Sequence, residues 1–118
     1  MIKLKRRKCA VLPLVLKRKW YDLIEGGFKY EEYRTSESVL YQIQRWWGRA
    51  KIEKLKAVVE FRRGYGKDAP RMAQVAKNVY FRDAGDYVNP DLGEPTDKPH
   101  YAIFLAGRVE LDESWWAK

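Results

Sequence analysis

Residues 26–34 of this chain, GGFKYEEYR, gather the side-chain types that proton transfer and anion recognition require. Lys29 supplies a compact positive charge, Glu32 a carboxylate, and Arg34 a planar fork of hydrogen-bond donors. A carboxylate beside a guanidinium and an ammonium can move protons or bind an anion if the surface is concave and partly dry. On an exposed edge strand the same charges form salt bridges worth at most about 1 kcal/mol. The residue types are therefore compatible both with a functional site and with a solvated surface strand.

Alternation within this segment predicts a β-strand with two different faces. Side chains two positions apart lie side by side on such a strand, which places Glu32 next to Arg34. The first face would carry Tyr30, Glu32 and Arg34, and the second would carry Lys29, Glu31 and Tyr33.

Other residues with catalytic or metal-binding chemistry are few. One histidine, His100, and one cysteine, Cys9, provide too few nitrogen and sulfur ligands for a zinc site, and no pattern calls for a cofactor. At the start of a predicted strand, His100 is expected to be exposed or hydrogen-bonded rather than catalytic. The chain also lacks the glycine fingerprint of phosphate-binding loops and the nucleophile elbow of serine hydrolases. The usual enzyme signatures are therefore missing from the sequence.

Charge is distributed unevenly along the chain, whose formal net charge is +8. Residues 1–19 contain eight lysines and arginines and no acid, whereas residues 83–118 contain three basic and eight acidic residues. A basic face attracts polyanions, nucleic acid first among them, through counterion release. The run at residues 1–8 also suits a solvated tail that serves solubility.

A chain of 118 residues suits one domain, which we expect to span residues 1–118 with a basic tail at 1–8 and a second tail at 112–118. No apolar run approaches the roughly 20 residues needed to cross a bilayer, so we expect a cytoplasmic protein without a membrane partner.

Trp115 and Trp116 either dock onto their own domain or mark a surface for protein contact.

Hydrophobic periodicity predicts five strands and two early helices, an α+β fold whose strands curl into a small barrel. Pro13 places the first strand at a sheet edge or bulge, and Trp20 is interpreted as a core residue. Alternation predicts that Val75 and Val79 share one face of the fourth strand. The strands are predicted at residues 9–17, 28–34, 54–64, 73–83 and 100–111, and the helices at 17–27 and 36–50.

The segment also matches the pattern G-x-K-x-x-E-x-R in full, as Gly27, Lys29, Glu32 and Arg34. This is the signature of the ASCH family, named for activating-signal-cointegrator homology and similar in fold to PUA, an RNA-binding β-barrel domain. Residues 12–27, the strand and Gly-Tyr-Gly loop at 58–72, and the closing strand with its glycine also resemble small bacterial and phage members. The resemblance covers residues 9–111 and implies a PUA-like β-barrel of about five strands with two main helices near the N-terminal half.

The resemblance implies a cleft that binds RNA, a nucleotide or a modified nucleoside. Lys29 and Arg34 would meet phosphate or carbonyl oxygens, and Glu32 would accept from an exocyclic amine. Tyrosines near the motif can stack on bases. The predicted ligand-binding residues are Gly27, Lys29, Glu32, Arg34 and Tyr65. The residues predicted to attract phosphates around the glycine-rich loop are Arg62, Arg63, Lys67 and Arg71.

Two alternatives to this binding function remain open. Some members of the family remove an acyl group from acetylated cytidine and others are described as ribonucleases, so a hydrolase would use Lys29 and Glu32 as a catalytic proton-transfer pair. In those amidohydrolases a catalytic threonine lies three residues after the motif lysine, where this chain has Glu32, so that mechanism does not carry over intact. The other alternative is a protein-interaction module built on exposed aromatic residues.

Overall fold

The structure, a computed structural model, describes residues 1–113. These residues form a mixed α+β fold, as predicted, with both helices in the first half of the chain. The sheet has six strands rather than about five. The strands are β1 Ile2–Lys5, β2 Cys9–Leu16, β3 Glu31–Arg34, β4 Lys56–Arg63, β5 Arg71–Arg82 and β6 His100–Asp112, and the helices are α1 Arg18–Glu25 and α2 Glu37–Ile52.

The strands follow the order β1-β6-β5-β4-β2, and β3 pairs with the edge of β6 beside β1. The β1–β6 and β2–β4 pairs are parallel, and the other pairs are antiparallel. Within residues 1–113 no pairing joins β1 to β2, so the sheet is not closed by hydrogen bonds. Pro13 lies in β2 at the end of this order, where its missing N–H costs the sheet no ladder bond.

The N-terminal residues, expected as a solvated tail, belong to the sheet instead. Ile2–Lys5 form β1, and a short 3-10 turn, Arg6–Lys8, leads into β2. The Arg6 guanidinium bonds the carboxylate of Glu60 at 2.6 Å and that of Glu113 at 2.8 Å. Part of the basic run is therefore paired. Trp115 and Trp116 lie outside the described residues.

The turn after α1 determines the direction in which the chain leaves the helix and therefore where Lys29 lies. Gly27 adopts a left-handed conformation, with φ 82°, which glycine adopts without the steric cost that other residues bear. The backbone N–H groups of Phe28 and Lys29 both donate to the carbonyl of Leu23, at 2.9 and 3.0 Å. The chain therefore reverses tightly from α1 toward β3.

The main core lies between the helices and one face of the sheet. From α2, Ile43, Trp46 and Ala50 are buried, and the Trp46 indole N–H donates to the carbonyl of Ala10 at 2.8 Å. Alternate residues of β4, including Phe61, face this core as predicted.

No helix among the described residues is long and apolar enough to cross a membrane.

The predicted alternation fails in β5 and β6 because each strand contains an extra residue. Ala106 is extra in β6, between the partners of Val75 and Ala76, and Lys77 is extra in β5. An extra residue reverses the side on which the following side chains point. Val79 therefore packs on the main core, whereas Val75 packs on a smaller separate cluster, and the prediction of a shared face is wrong.

Two phenylalanines of the sheet, one buried and one exposed, should differ in their contribution to stability. Phe61→Ala should lower the free energy of unfolding by about 3–5 kcal/mol, because Phe61 is 0% exposed and its removal leaves a cavity. Phe81→Ala is the matched control. It should cost less than about 1.5 kcal/mol, since Phe81 is 55% exposed and contributes mainly its edge contact with Tyr101. Urea denaturation measures both, and equal losses would contradict the assigned core.

Candidate functional site

A cleft of about 350 Å³ opens where the end of β2, the start of α1, β3 and the start of α2 meet. This volume lies within the range of roughly 300–1,000 Å³ that is typical of small-molecule sites. Charged side chains form part of the lining, and an indole, a phenol and the aliphatic side chains of two valines and a leucine form other parts. The lining residues are Val15, Leu16, Lys17, Trp20, Lys29, Glu32, Tyr33, Arg34, Thr35, Ser36, Val39 and Gly93.

A carboxylate shared by two cations is the central feature of the cleft. The Lys29 ammonium lies 3.2 Å from Oε1 of Glu32, and Nη2 and Nε of Arg34 lie 2.9 and 3.0 Å from Oε2. The side chains of Lys29 and Glu32 are 3% and 6% exposed, and that of Arg34 is 22% exposed. A buried carboxylate needs such partners, because an unpaired one would cost several kcal/mol.

The strand alternation misplaced Lys29. Alternation predicted it on the face opposite Glu32, but β3 begins only at Glu31, so Lys29 precedes the strand and follows the tight turn after α1. The lysine therefore pairs with Glu32 and not with Glu31.

Aromatic rings and a backbone carbonyl complete the surroundings of Lys29. Its Nζ lies 4.2 Å from the ring centroid of Trp20 and 5.1 Å from that of Tyr33, and it donates to the carbonyl of Leu92 at 2.8 Å. Burial lowers the pKa of Lys29, and the Glu32 carboxylate opposes this shift without cancelling it. Lys29 therefore releases its proton more readily than an exposed lysine does.

Arg34 connects the carboxylate to the edge of the cleft. Its Nη2 also donates to the carbonyl of Val15 at 3.0 Å, which fixes the plane of the guanidinium. Within residues 1–113, Nη1 has no hydrogen-bond partner, although the side chain lines the cleft. Its two N–H groups are therefore available to an oxygen of a ligand.

A second buried network holds the loop that contributes Leu92 and Gly93. The Glu94 carboxylate accepts bonds from Arg82 at 2.6 Å and His100 at 2.8 Å, and also from the backbone N–H groups of Val88 and Asn89. His100 is 0% exposed and also bonds the carbonyl of Lys98. We call this set, together with Glu31, the loop clamp.

Glu31 connects β3 to the loop clamp. Its carboxylate accepts bonds from Arg82 at 2.9 Å, from the Tyr33 hydroxyl at 2.8 Å and from the side chain of Asn89 at 2.8 Å. Burial opposes ionisation of Glu31, but the bonds from Arg82 and Tyr33 outweigh it, so the pKa of Glu31 lies below its ordinary value. The hydroxyl of Tyr33, buried beside this carboxylate, has a raised pKa. Both groups therefore keep one protonation state near neutral pH.

Other residues predicted for ligand binding lie outside the cleft lining. Gly27 shapes the turn before Lys29 but does not line the cleft, and Tyr65 is 86% exposed on its loop. The backbone N–H of Gly64 donates to the carbonyl of Leu16, so this loop begins beside the cleft. The structure therefore brings together Lys29, Glu32 and Arg34 of the five predicted ligand-binding residues.

None of the four basic residues predicted to attract phosphates lines the cleft. Arg62 bonds the carbonyls of Tyr65 and Gly66, and Arg63 lies 3.5 Å from the carboxylate of Asp22. Arg71 is paired with Arg62 across β4 and β5 and lines another cavity beside β6, and Lys67 is exposed on the loop. Their role in attracting phosphates stays a prediction.

The sequence did not predict Trp20 as a cleft residue or the loop clamp as a network, although His100 is hydrogen-bonded, one of the two states expected for it. Trp20 was assigned to the core, although it both packs on the core and lines the cleft. Glu31 and Arg82 are 51 positions apart, so no local spacing connects them. A motif search detects only residues that are close in sequence.

Comparisons with family models, with curated proteins and with solved structures give no match. Within the described part of the chain, no group of three or more His, Cys, Asp or Glu side chains is arranged to hold a metal ion. The chemistry of the cleft is therefore interpreted from its own residues.

Gly93 should control the position of the Trp20 indole. A Cβ added at Gly93 would lie 3.0 Å from the Trp20 ring, whereas a Cβ at Gly85 would meet nothing within 4 Å. Both glycines have φ 91°, so alanine at either position costs about 1–2 kcal/mol of backbone strain. Gly93→Ala should cost about 1–3 kcal/mol more than Gly85→Ala, because the ring must move. Denaturation measures the difference, and equal costs would contradict this contact.

Acid should destabilise the protein through the loop clamp. Burial opposes ionisation of Glu94, but bonds from His100, Arg82 and the loop backbone lower its pKa from 4.5 to about 2. The stabilisation is therefore complete above pH 4.5 and is lost as the pH falls toward 2, with a magnitude on the order of 3 kcal/mol. Carboxyl carbon NMR should show Glu94 titrating near pH 2 in the folded protein. A midpoint above pH 4 would refute the assignment.

Proposed function

We propose that the protein binds a nucleotide or a modified nucleoside, free or within RNA, in the cleft around Glu32. The observation that carries this proposal is the nearly buried carboxylate held between Lys29 and Arg34 in an open cleft. The full match of this segment to the ASCH pattern supports the same ligand class. Trp20, half-buried in the lining of the cleft, supplies aromatic surface of the kind on which bases stack.

The unused hydrogen-bonding capacity of the cleft suits the edge of a base. A carboxylate has about four lone-pair sites, and Lys29 and Arg34 together occupy three of them on Glu32, which leaves one on Oε1. Among the described residues, Lys29 has one N–H that no oxygen accepts, and Arg34 has two on Nη1. The cleft thus offers one acceptor and several donors.

A ligand that brings one N–H for Glu32 and carbonyl oxygens for Lys29 and Arg34 would use these groups. The imide edge of uracil provides both, with a ring N–H between two carbonyl oxygens. Cytosine presents two acceptors beside its amine and fits less well. We therefore infer a preference for uracil-type bases.

Hydrolysis in the same cleft is the second candidate. The contact of 3.2 Å between Lys29 and Glu32, with the lowered pKa of Lys29, supplies a pair able to exchange a proton with a substrate. Glu32 stands where the family's amidohydrolases have their threonine, so Glu32 would act in proton transfer and not as a nucleophile.

Binding should depend on Arg34 and discriminate between pyrimidines. We expect UMP to bind at least tenfold more tightly than CMP, and Arg34→Gln to weaken UMP about 10- to 100-fold, because a bond from a charged donor contributes about 1.5–3 kcal/mol. Arg45→Gln, which removes an exposed arginine of α2 outside the cleft, is the matched control. Isothermal titration calorimetry measures the affinities of the wild type for UMP and CMP and those of both variants for UMP.

A product assay separates binding from turnover. Uridine-rich RNA and acylated nucleosides are incubated with the wild type and with Lys29→Met, and products are read by mass spectrometry. A product that disappears in Lys29→Met supports the hydrolase, whereas tight binding without product supports the binding function. Absence of binding by every nucleotide and RNA would refute the proposal.

A further inference from the structure

A second cavity, larger than the cleft, lies at the opposite end of α2. Its volume is about 570 Å³, and it is bounded by the last turns of α2, the start of β4 and the irregular parts of β5 and β6. It shares no lining residue with the cleft. We call it the α2–β4 groove, and its size also falls within the range of small-molecule sites.

The floor of the α2–β4 groove is made of small apolar side chains. Ala50, Ala57 and Ala76 are buried there, and Leu55 is half-buried beside them. Alanine side chains leave space that larger residues would fill. Trp47 adds an aromatic wall. The floor therefore offers apolar contact area to a ligand but almost no polar side-chain group.

Three lysines surround this floor. Lys51, Lys56 and Lys77 are exposed, line the groove, and make no ion pair with the described residues. Lys51 instead lies over the ring of Trp47 at 4.7 Å, and Lys77 over the ring of Phe104 at 5.6 Å. Among the described residues, no acidic side chain lines the groove. Its positive charge is therefore uncompensated, in contrast to the cleft, where Glu32 is shared by Lys29 and Arg34.

The irregularity of the sheet is centred on the same groove. Lys77 and Ala106, the extra residues of β5 and β6, both line it. Bulges redirect side chains and are over-represented beside functional sites. Here two bulges, one on each of two paired strands, place a lysine and a small residue at the rim of one cavity.

We propose that the α2–β4 groove binds an organic anion with an apolar body, such as an alkyl or aryl phosphate. The apolar body lies on the alanine floor, and the anionic head lies among Lys51, Lys56 and Lys77. An inorganic anion gains nothing from the floor, and a neutral apolar molecule gains nothing from the lysines. This site is independent of the nucleotide proposed for the cleft.

Alanine methyl NMR tests the proposal directly, because four alanines line the groove. Octyl phosphate should shift the methyl signals of Ala50, Ala57, Ala76 and Ala106, and should leave Ala69 and Ala84, outside the groove, unmoved. Octanol and inorganic phosphate should need at least tenfold higher concentrations, and octyltrimethylammonium should not compete. If octyl phosphate leaves the four methyls unmoved, or octanol binds equally well, the proposal fails.

Charge and volume variants identify the source of the affinity. Lys56→Glu and Lys77→Glu should each weaken octyl phosphate at least tenfold, whereas Lys98→Glu, an exposed site outside the groove with the same change in net charge, should weaken it less than twofold. Ala106→Phe adds volume from an exposed position and should abolish binding while the reference methyls confirm folding. An effect of Lys98→Glu equal to that of Lys77→Glu would show that general charge attraction explains the affinity and would overturn the proposal.

Discussion

The carboxylates of β3 impose the main physical constraint on this protein. Glu31 and Glu32 are both nearly buried, and a buried charge is tolerated only when partners replace the water it has lost. Each carboxylate takes a different arginine, Arg82 for Glu31 and Arg34 for Glu32. The position of β3, the path of the loop between β5 and β6, and the shape of the cleft all depend on satisfying these two charges.

Consecutive residues of that loop connect the two networks. Leu92 accepts the hydrogen bond from Lys29, Gly93 contacts the Trp20 ring, and Glu94 anchors the loop to Arg82 and His100. The clamp thus positions a wall of the cleft without contributing a side chain to its lining. A shift of the loop would move the acceptor of Lys29 and the indole together, so the cleft is positioned by interactions that lie outside it.

The two cavities differ in how their charges are balanced. In the cleft, Lys29 and Arg34 already share an internal carboxylate, so a ligand meets directed donors and one acceptor. In the α2–β4 groove, the lysines have no carboxylate among the described residues, so a ligand must bring the negative charge itself. The first arrangement favours recognition of a polar edge, and the second favours attraction of an anion. These differences follow from which charges are paired, not from how many are present.

Local sequence alone determined the helices, the end of α1 at its glycines, the buried face of β4 around Phe61, and the clustering of Lys29, Glu32 and Arg34 near β3. Each of these depends on neighbours within a few positions, which periodicity and short motifs report. Only the tertiary structure decided that residues 2–5 form a strand, that Lys77 and Ala106 interrupt the alternation, and that Lys29 pairs with Glu32. Strand pairing and the extra residues that interrupt it depend on chain segments that lie far apart in sequence, whereas the Lys29–Glu32 pair depends on the turn after α1, which places Lys29 before the strand. The energies of these strand pairings are therefore determined only when the paired segments come together in the folded chain.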